Sequence, residues 1–218
     1  QTTDKGIIDW DSFNIQGREE VIFNQPSSSS ITLNRVTGVD LSLIEGLLYG
    51  NGQIYLINEQ GIKLSSSSFV KTGGFLASTL DISNTAFLAG GDLTFASEGE
   101  SSIISRGSIV ACGGDVVLIS KTINNAGTLM AETGEVLIGA STEVTLYESG
   151  EPSISVKPDQ AGNITENGFI KAIRTELKAA GSLYGLAINQ MGAIEATGSA
   201  TINGKVILSG GLGTTCID

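Results

Sequence analysis

The chain has no histidine, only three prolines and only two cysteines among its 218 residues. Without histidine there is no Ser-His-Asp triad, no imidazole metal site and no ordinary titration switch near neutral pH. Cys112 and Cys216 stand 104 residues apart with no CxxC, so neither a zinc site nor a redox motif is written. On stacked strands that separation is about five rungs, on the order of 20 Å, against the roughly 7 Å a disulfide tolerates, and unpaired thiols are expected. Charge is scarce as well, at 16%, and 12 basic residues face 23 acidic ones for a net of −11. A balance of that sign argues against nucleic acid and against an anionic membrane surface as partners. No apolar run reaches the length of about 18 residues needed for a membrane span. Gln1 opens polar sequence, so no signal peptide is expected within these residues.

What the chain does have is glycine (29 residues), 40% hydrophobic residues and phrases that recur. Gly113-Gly114-Asp115-Val116-Val117-Leu118 returns as Thr133-Gly134-Glu135-Val136-Leu137-Ile138, and resembles Gly90-Gly91-Asp92-Leu93-Thr94-Phe95 upstream. A second phrase runs Gly107-Ser108-Ile109-Val110-Ala111, Gly127-Thr128-Leu129-Met130-Ala131 and Gly192-Ala193-Ile194-Glu195-Ala196. Both phrases step by 20 between positions 107 and 127 or 113 and 133. Residues 200–208 repeat the cadence again. Short apolar strands between Gly and Asn turns at that period describe a β-solenoid, because one coil cannot bury its apolar face without a neighbour. With strands about 4.8 Å apart, roughly ten coils would make a rod of about 45 to 50 Å. The leucine-rich repeat has a similar period, but its L-x-x-L-x-L-x-x-N phrase does not recur, and a β-sandwich would not repeat phrases.

Several stretches break the rhythm. Residues 40–49 place Leu41, Leu43, Ile44, Leu47 and Leu48 on one face of a short helix with Asp40 as a candidate N-cap. Residues 147–190 read as an insertion, with a hairpin over 151–159 and a short helix over 170–180 ended by Gly181. One domain over 1–218 is expected, with regular repeats at 91–146 and 191–218 on either side of that insertion.

Candidate chemistry is thin. Asp9 and Asp11 could share a strand face, as paired carboxylates do in β-helix polysaccharide-degrading enzymes, but no basic partner is specified. Asp92, Asp115 and Glu135 occupy equivalent repeat positions and could form an acidic ladder for a hard cation; the tandem calcium-binding phrase G-G-x-G-x-D is not present, which favours solvated turn residues. The serine runs 27–30 and 65–68 have no base in a recognisable motif. Asn163-Ile164-Thr165 matches a glycosylation sequon. No catalytic, metal or cofactor residue is assigned.

The N-terminal part carries more specific strings. They are Ile7-Ile8-Asp9-Trp10-Asp11-Ser12-Phe13-Asn14-Ile15, then Phe23-Asn24-Gln25-Pro26-Ser27-Ser28-Ser29-Ser30, then Leu33-Asn34-Arg35-Val36-Thr37-Gly38. After them come Asn51-Gly52-Gln53-Ile54-Tyr55-Leu56-Ile57-Asn58-Glu59-Gln60-Gly61-Ile62 and Gly74-Phe75-Leu76-Ala77-Ser78-Thr79-Leu80-Asp81-Ile82-Ser83-Asn84. The strand 53–57 is framed by an Asn51-Gly52 turn and a turn over 58–61, where Asn and Gly reach φ > 0 cheaply. In this order and spacing, over residues 7–90, the strings resemble the N-terminal secretion domain of the filamentous haemagglutinin family.

The resemblance implies an all-β fold, a right-handed parallel β-helix with a short extra-helical insertion, and an export signal of two-partner secretion. It implies a partner outer-membrane β-barrel transporter with periplasmic polypeptide-binding domains. The chain would then pass through periplasm and outer membrane to the cell surface or the medium, as a monomer and not as an enzyme. By the same resemblance, transporter recognition falls on Asn34, Asn51, Gly52, Asn58, Gly61 and Asp81. The family's corresponding turn is Asn-Pro-Asn-Gly: Asn58 and Gly61 match it, Glu59 and Gln60 depart. Replacing Asn58 is accordingly expected to lower secretion with little loss of stability. The competing readings are an adhesin shaft segment that binds host glycan or protein, and a β-helix polysaccharide-degrading enzyme.

Overall fold

The computed structural model describes residues 1–148, 152–158, 161–181, 186–197, 205–211 and 214–217. Three parallel ladders form a three-faced coil. Face A stacks Glu20–Phe23, Leu47–Gly50, Phe69–Thr72, Ser108–Ala111, the first parts of Thr128–Ala140 and Phe169–Gly181, and Ala193–Ala196. Face B stacks Lys5–Trp10, Ile31–Val36, Gln53–Ile57, Gly74–Ser78, Val116–Ser120, the second parts of the same two long strands, and Lys205–Gly211. Face C stacks Ser42–Ile44, Ile62–Leu64, Ser102–Ser105, Thr122–Asn125, Asn163–Glu166, Leu186–Gln190 and Thr214–Ile217. The chain visits A, B and C in turn, the course of a parallel β-helix.

The step between coils explains the repeats. Ser108 pairs with Thr128, a step of 20, but Thr128 pairs with Phe169, a step of 41. The longer step contains an excursion, and Gly74–Ser78 is followed by another before Ser102. The first excursion holds the helix Asn84–Ala89, capped by the Ser83 hydroxyl accepting from Ala86 N, and the strand Leu93–Ala96. The second is the hairpin Glu143–Tyr147 and Ser153–Val156. Leu93–Ala96 pairs antiparallel with Glu143–Tyr147, so the two excursions make one three-stranded sheet outside the coil. Seven strands of face A, in place of ten coils, are what the described residues contain once both excursions are set aside.

Two apolar clusters follow. Inside the coil lie Leu48, Ile54, Leu56, Val70, Phe75, Ile109, Val116, Ile123 and their neighbours along the axis. Outside it, Leu33, Tyr55, Ile57, Leu76, Val117, Ile119 and Leu137 point out of face B and are covered by Phe87, Leu93, Phe95, Val144, Leu146 and Ile154 from the excursions. Where the excursions cover it, face B is buried on both surfaces, and Gln53–Ile57, Gly74–Ser78 and Val116–Ser120 read as near-continuous apolar runs. At the N-terminal end Trp10 and Phe13 meet edge to face at 5.5 Å, and Ile15 bridges to Ile44 on face C.

Four expectations change. Residues 170–180 are strand, not helix, because Phe169–Gly181 is hydrogen-bonded to a coil on each side; pairing along a ladder outweighs a helix preference of a few tenths of a kcal/mol per residue. Residues 40–49 likewise form the strands Ser42–Ile44 and Leu47–Gly50. The insertion is shorter than 147–190: residues 163–190 return to the coil, and the hairpin extends to Glu143 on its N-terminal side. The phrase at 90–95 is no coil but part of the outer sheet, so Asp92 is not in register with Asp115 and Glu135. The phrase 200–204 and the hairpin residues Glu151 and Asp159 lie outside the described residues.

Candidate functional site

The six residues singled out for recognition fall at three places. Asn51 and Gly52 form the corner between faces A and B. The Asn51 side chain accepts from Gln25 N at 2.7 Å and donates to Gln25 O at 2.8 Å. Gln25 itself is buried; its Nε2 donates to Ser30 O and Gln53 O, both at 2.9 Å, and its Oε1 accepts from Gly52 N at 3.0 Å. A Cβ on Gly52 would stand 2.6 Å from Ser30 O, which is why glycine is required there. Gln25 lies in a string that carried the resemblance, yet sequence reasoning gave it no role; a lone glutamine after a strand carries no pattern of its own.

Asn34 sits fully buried on face B. Its Oδ1 accepts from Trp10 Nε1 at 3.1 Å, and its Nδ2 donates to Tyr55 O at 3.3 Å, tying three successive strands together.

Asn58, Gly61 and Asp81 gather at the edge between faces B and C. Asn58 is fully buried: Nδ2 donates to Asp40 O and Ser42 Oγ, each at 3.0 Å, and Oδ1 accepts from Gln60 N at 2.8 Å. The last bond is the expected turn two residues on, and Gly61 at φ +123° is in the region that favours glycine. The burial removes the expected separation of export from stability at Asn58, since its loss would strand an amide's worth of partners in the interior. Glu59 and Gln60, which depart from the family's turn, are exposed. Asp81 receives Arg35 Nε at 2.8 Å, and the same guanidinium reaches Asp9 at 3.4 Å, Asn84 Oδ1 at 2.7 Å and Ile82 O at 2.6 Å. A hollow of about 280 Å³ lies between this cluster and the turn, lined by Arg35, Thr37, Ile57, Glu59, Gln60 and Asp81.

Paired acids meet elsewhere. Under the outer hairpin a cavity of about 220 Å³ is lined by Tyr55, Asp115, Tyr147 and Glu148 over an apolar floor. Burial pushes the Asp115 and Glu148 carboxyls above their usual range and the Tyr55 phenol up with them. Glu135 is not a solvated turn residue but is buried against Arg174. Among the described residues no three acidic or thiol groups are placed to hold a metal ion. Cys112 is exposed and free, as expected.

The architecture is a parallel β-helix with an antiparallel three-stranded sheet over one face. The chain matches the TPS secretion domain over residues 1–215, and it belongs to that family, the secretion domains of two-partner secretion. It is 32% identical over 223 residues to a heme/hemopexin-binding protein of Haemophilus influenzae strain Rd, covering 96% of this chain and 24% of that one. A second heme/hemopexin-binding protein of Haemophilus influenzae is 40% identical over 82 residues, covering 38% of this chain and 9% of the other. The crystal structure of the HMW1 secretion domain from Haemophilus influenzae superposes with a TM-score of 0.65 at 29% identity, covering 88% of this chain and 60% of that one. This chain thus spans about a quarter of the longer-matched curated relative. It is the secretion domain of a protein sent to the cell surface or the medium, and membership implies a partner transporter in the outer membrane. The family is one of secretion domains and not of enzymes.

Proposed function

We propose that the transporter's periplasmic polypeptide-binding domains take this segment as an extended chain, and that its coils form outside the cell and nucleate the shaft that follows. The supporting observation is burial. Asn34, Gly52, Asn58 and Gly61 are all enclosed once the coils have stacked, their polar groups occupied. Only Asn51 and the half-exposed Asp81 present themselves on the folded surface. Contacts with the buried four are therefore open to a partner only before folding, when strand-forming segments can add to a sheet edge. Stacking supplies the outward pull, because each coil is completed by its neighbour. The barrel form of the partner, its periplasmic domains and a monomeric state belong to this proposal, as does an adhesin- or haemolysin-like character for the full-length protein.

The shaft-binding alternative wants free aromatic surface. The one tryptophan is engaged by Asn34 and packed on Phe13, Tyr49 packs on Phe69 and Tyr55 is buried, which leaves Tyr147 as the exposed ring among the described tyrosines. The domain acts by recognition and not by catalysis.

The test restores a signal peptide, co-expresses a partner barrel and assays the medium. Lys71 and Val110 are register partners on face A, so Lys71→Cys with Val110→Cys, in a Cys112→Ser background, clamps two coils in the oxidising periplasm. Partner-dependent export that the clamp blocks and a reductant restores is expected. Export of the clamped domain at the parental level would show that the folded form is what the transporter accepts.

A further inference from the structure

A column of polar side chains runs inside the coil where face C turns into face A. Ser105, Asn125, Glu166 and Gln190 are successive register partners, and all four are buried. The Ser105 hydroxyl has no hydrogen-bond partner, but Asn125 and Glu166 share one arrangement. Asn125 Oδ1 accepts from the amide of Gly127 two residues on at 3.2 Å, while its Nδ2 donates to the next rung, to Glu166 Oε1 at 2.8 Å and Oε2 at 3.0 Å. Glu166 Oε1 accepts from the amide of Gly168 at 2.8 Å in the same way. Continuing the pattern, Glu166 should donate to Gln190, one rung further on. Gln190 Nε2 is already committed to Gly192 O at 2.9 Å, which fixes the amide's orientation and leaves its Oε1 without a partner. Exchanging the oxygen and nitrogen would set two acceptors against each other.

We propose that Glu166 is carried in the folded coil as the neutral carboxylic acid, its proton directed at Gln190 Oε1, so that forming these coils takes a proton from solvent. An ionised carboxylate here would be buried one rung from an amide oxygen that has no partner, acceptor beside acceptor.

Among the described residues no cation compensates it. Thr122–Asn125 and Leu186–Gln190, the strands on either side, contain no ionisable residue. On Phe169–Gly181, Lys171 points outward to Glu132 and Glu195, and Arg174, Glu176 and Lys178 point outward to the hairpin. Glu132 and Glu135 of Thr128–Ala140 belong to those outer pairs. Burial, opposed only by the Asn125 and Gly168 donors, raises the Glu166 pKa to about 7. The folded value lies above the unfolded one. The unfolded chain therefore releases this proton from about pH 4.5, the folded chain only near 7, and stability falls as pH rises through that window.

This proton uptake belongs to the purified domain and is independent of transporter recognition. Glu166→Gln reproduces the neutral acid, with Oε1 for Gly168 and Nε2 for Gln190. Its melting temperature is expected to exceed the parent's at pH 8, and the parent's extra fall between pH 5 and 7 to vanish, a difference of about one proton per molecule. A Glu166→Gln domain that keeps the parent's full pH slope overturns the proposal. Should that variant not fold, carboxyl NMR of 13C-glutamate in the parent and in Gln190→Met decides. One resonance is expected to titrate near 7 in the parent and lower in the variant, and no glutamate that moves between them would overturn the proposal equally.

Discussion

Arg174 reaches out of face B to the carbonyl of Pro152, and the same Nη2 pairs with Glu135 Oε2 at 2.5 Å. It is the first of three outward residues that hold the free edge of the hairpin. Glu176 Oε2 accepts from Ile154 N at 3.2 Å, and Lys178 Nζ donates to Ile154 O at 2.7 Å while pairing with Glu176. Side chains of the coil thus serve the edge strand Ser153–Val156 where no further strand among the described residues does, and an unpaired edge is shielded. Arg174→Met withdraws the guanidinium from two buried carboxylates, Glu135 and Glu176. The expected loss is about 3–5 kcal/mol in urea unfolding, with faster amide exchange at Ile154 as the local sign.

That same stretch shows what could be read from the chain and what could not. Lys171, Arg174, Glu176 and Lys178 with Ile170, Ile173 and Leu177 satisfy a helical wheel. In the structure the governing alternation is Arg174, Glu176, Lys178 out and Thr175, Leu177, Ala179 in. The outward residues look like a helix surface because they face a polar hairpin edge, whereas the outward residues of the earlier coils are apolar, facing the outer sheet. The coil repeat was legible because Gly107, Gly127 and Gly192 carry the same corner chemistry locally. The outer sheet was not, because Leu93–Ala96 and Glu143–Tyr147 find each other across some fifty residues (Thr94 opposite Thr145), and antiparallel register leaves no phrase to match. Asn34 and Asn58 came from the family strings; their buried role, and Gln25's, needed coordinates.

The corner glycines divide into two kinds. A Cβ on Gly127 would lie 2.1 Å from Gly107 O, one coil below, and that carbonyl is held by Thr128 N at 2.9 Å. Gly113, on the opposite corner, would meet nothing within 4 Å. Gly127→Ala is expected to cost well over 3 kcal/mol or to abolish soluble yield, since backbone and not a flexible side chain must give way. Gly113→Ala should stay within about 0.5 kcal/mol of the parent. Thermal unfolding of the pair separates the two cases.

Gln25 donates twice and accepts once in a closed pocket of backbone. Gln25→Glu retains the shape but turns both donors toward Ser30 O and Gln53 O into acceptors. Alanine takes a donor from Gln53 O and the acceptor from Gly52 N, while Ser30 O keeps Gln53 N at 2.8 Å, at about 1–3 kcal/mol for a buried polar group. The glutamate is expected to be the worse of the two at pH 8 and to recover part of the difference at pH 4, where its protonated oxygen can donate once. Equal melting temperatures for the two variants across that range would count against the pocket as described.

Asn58 brings stability and export onto one side chain. Alanine there gives up three side-chain bonds, two to Asp40 O and Ser42 Oγ across the corner and one to Gln60 N within the turn. With the partners enclosed, the expected loss is about 2–4 kcal/mol in denaturant unfolding. Aspartate keeps the acceptor for Gln60 but places a carboxylate against the Asp40 carbonyl, so it should be at least as destabilising at neutral pH. Ser42→Ala removes one of Asn58's partners from the other side of the corner and leaves the Asn58 amide in the chain. If Asn58 acts only through the folded turn, Ser42→Ala and Asn58→Ala variants matched for stability should be exported alike. Capture of the extended chain makes the opposite demand, that export falls for Asn58→Ala well beyond a Ser42→Ala domain of equal melting temperature. Medium yields from one co-expression series, read beside the unfolding curves, distinguish them.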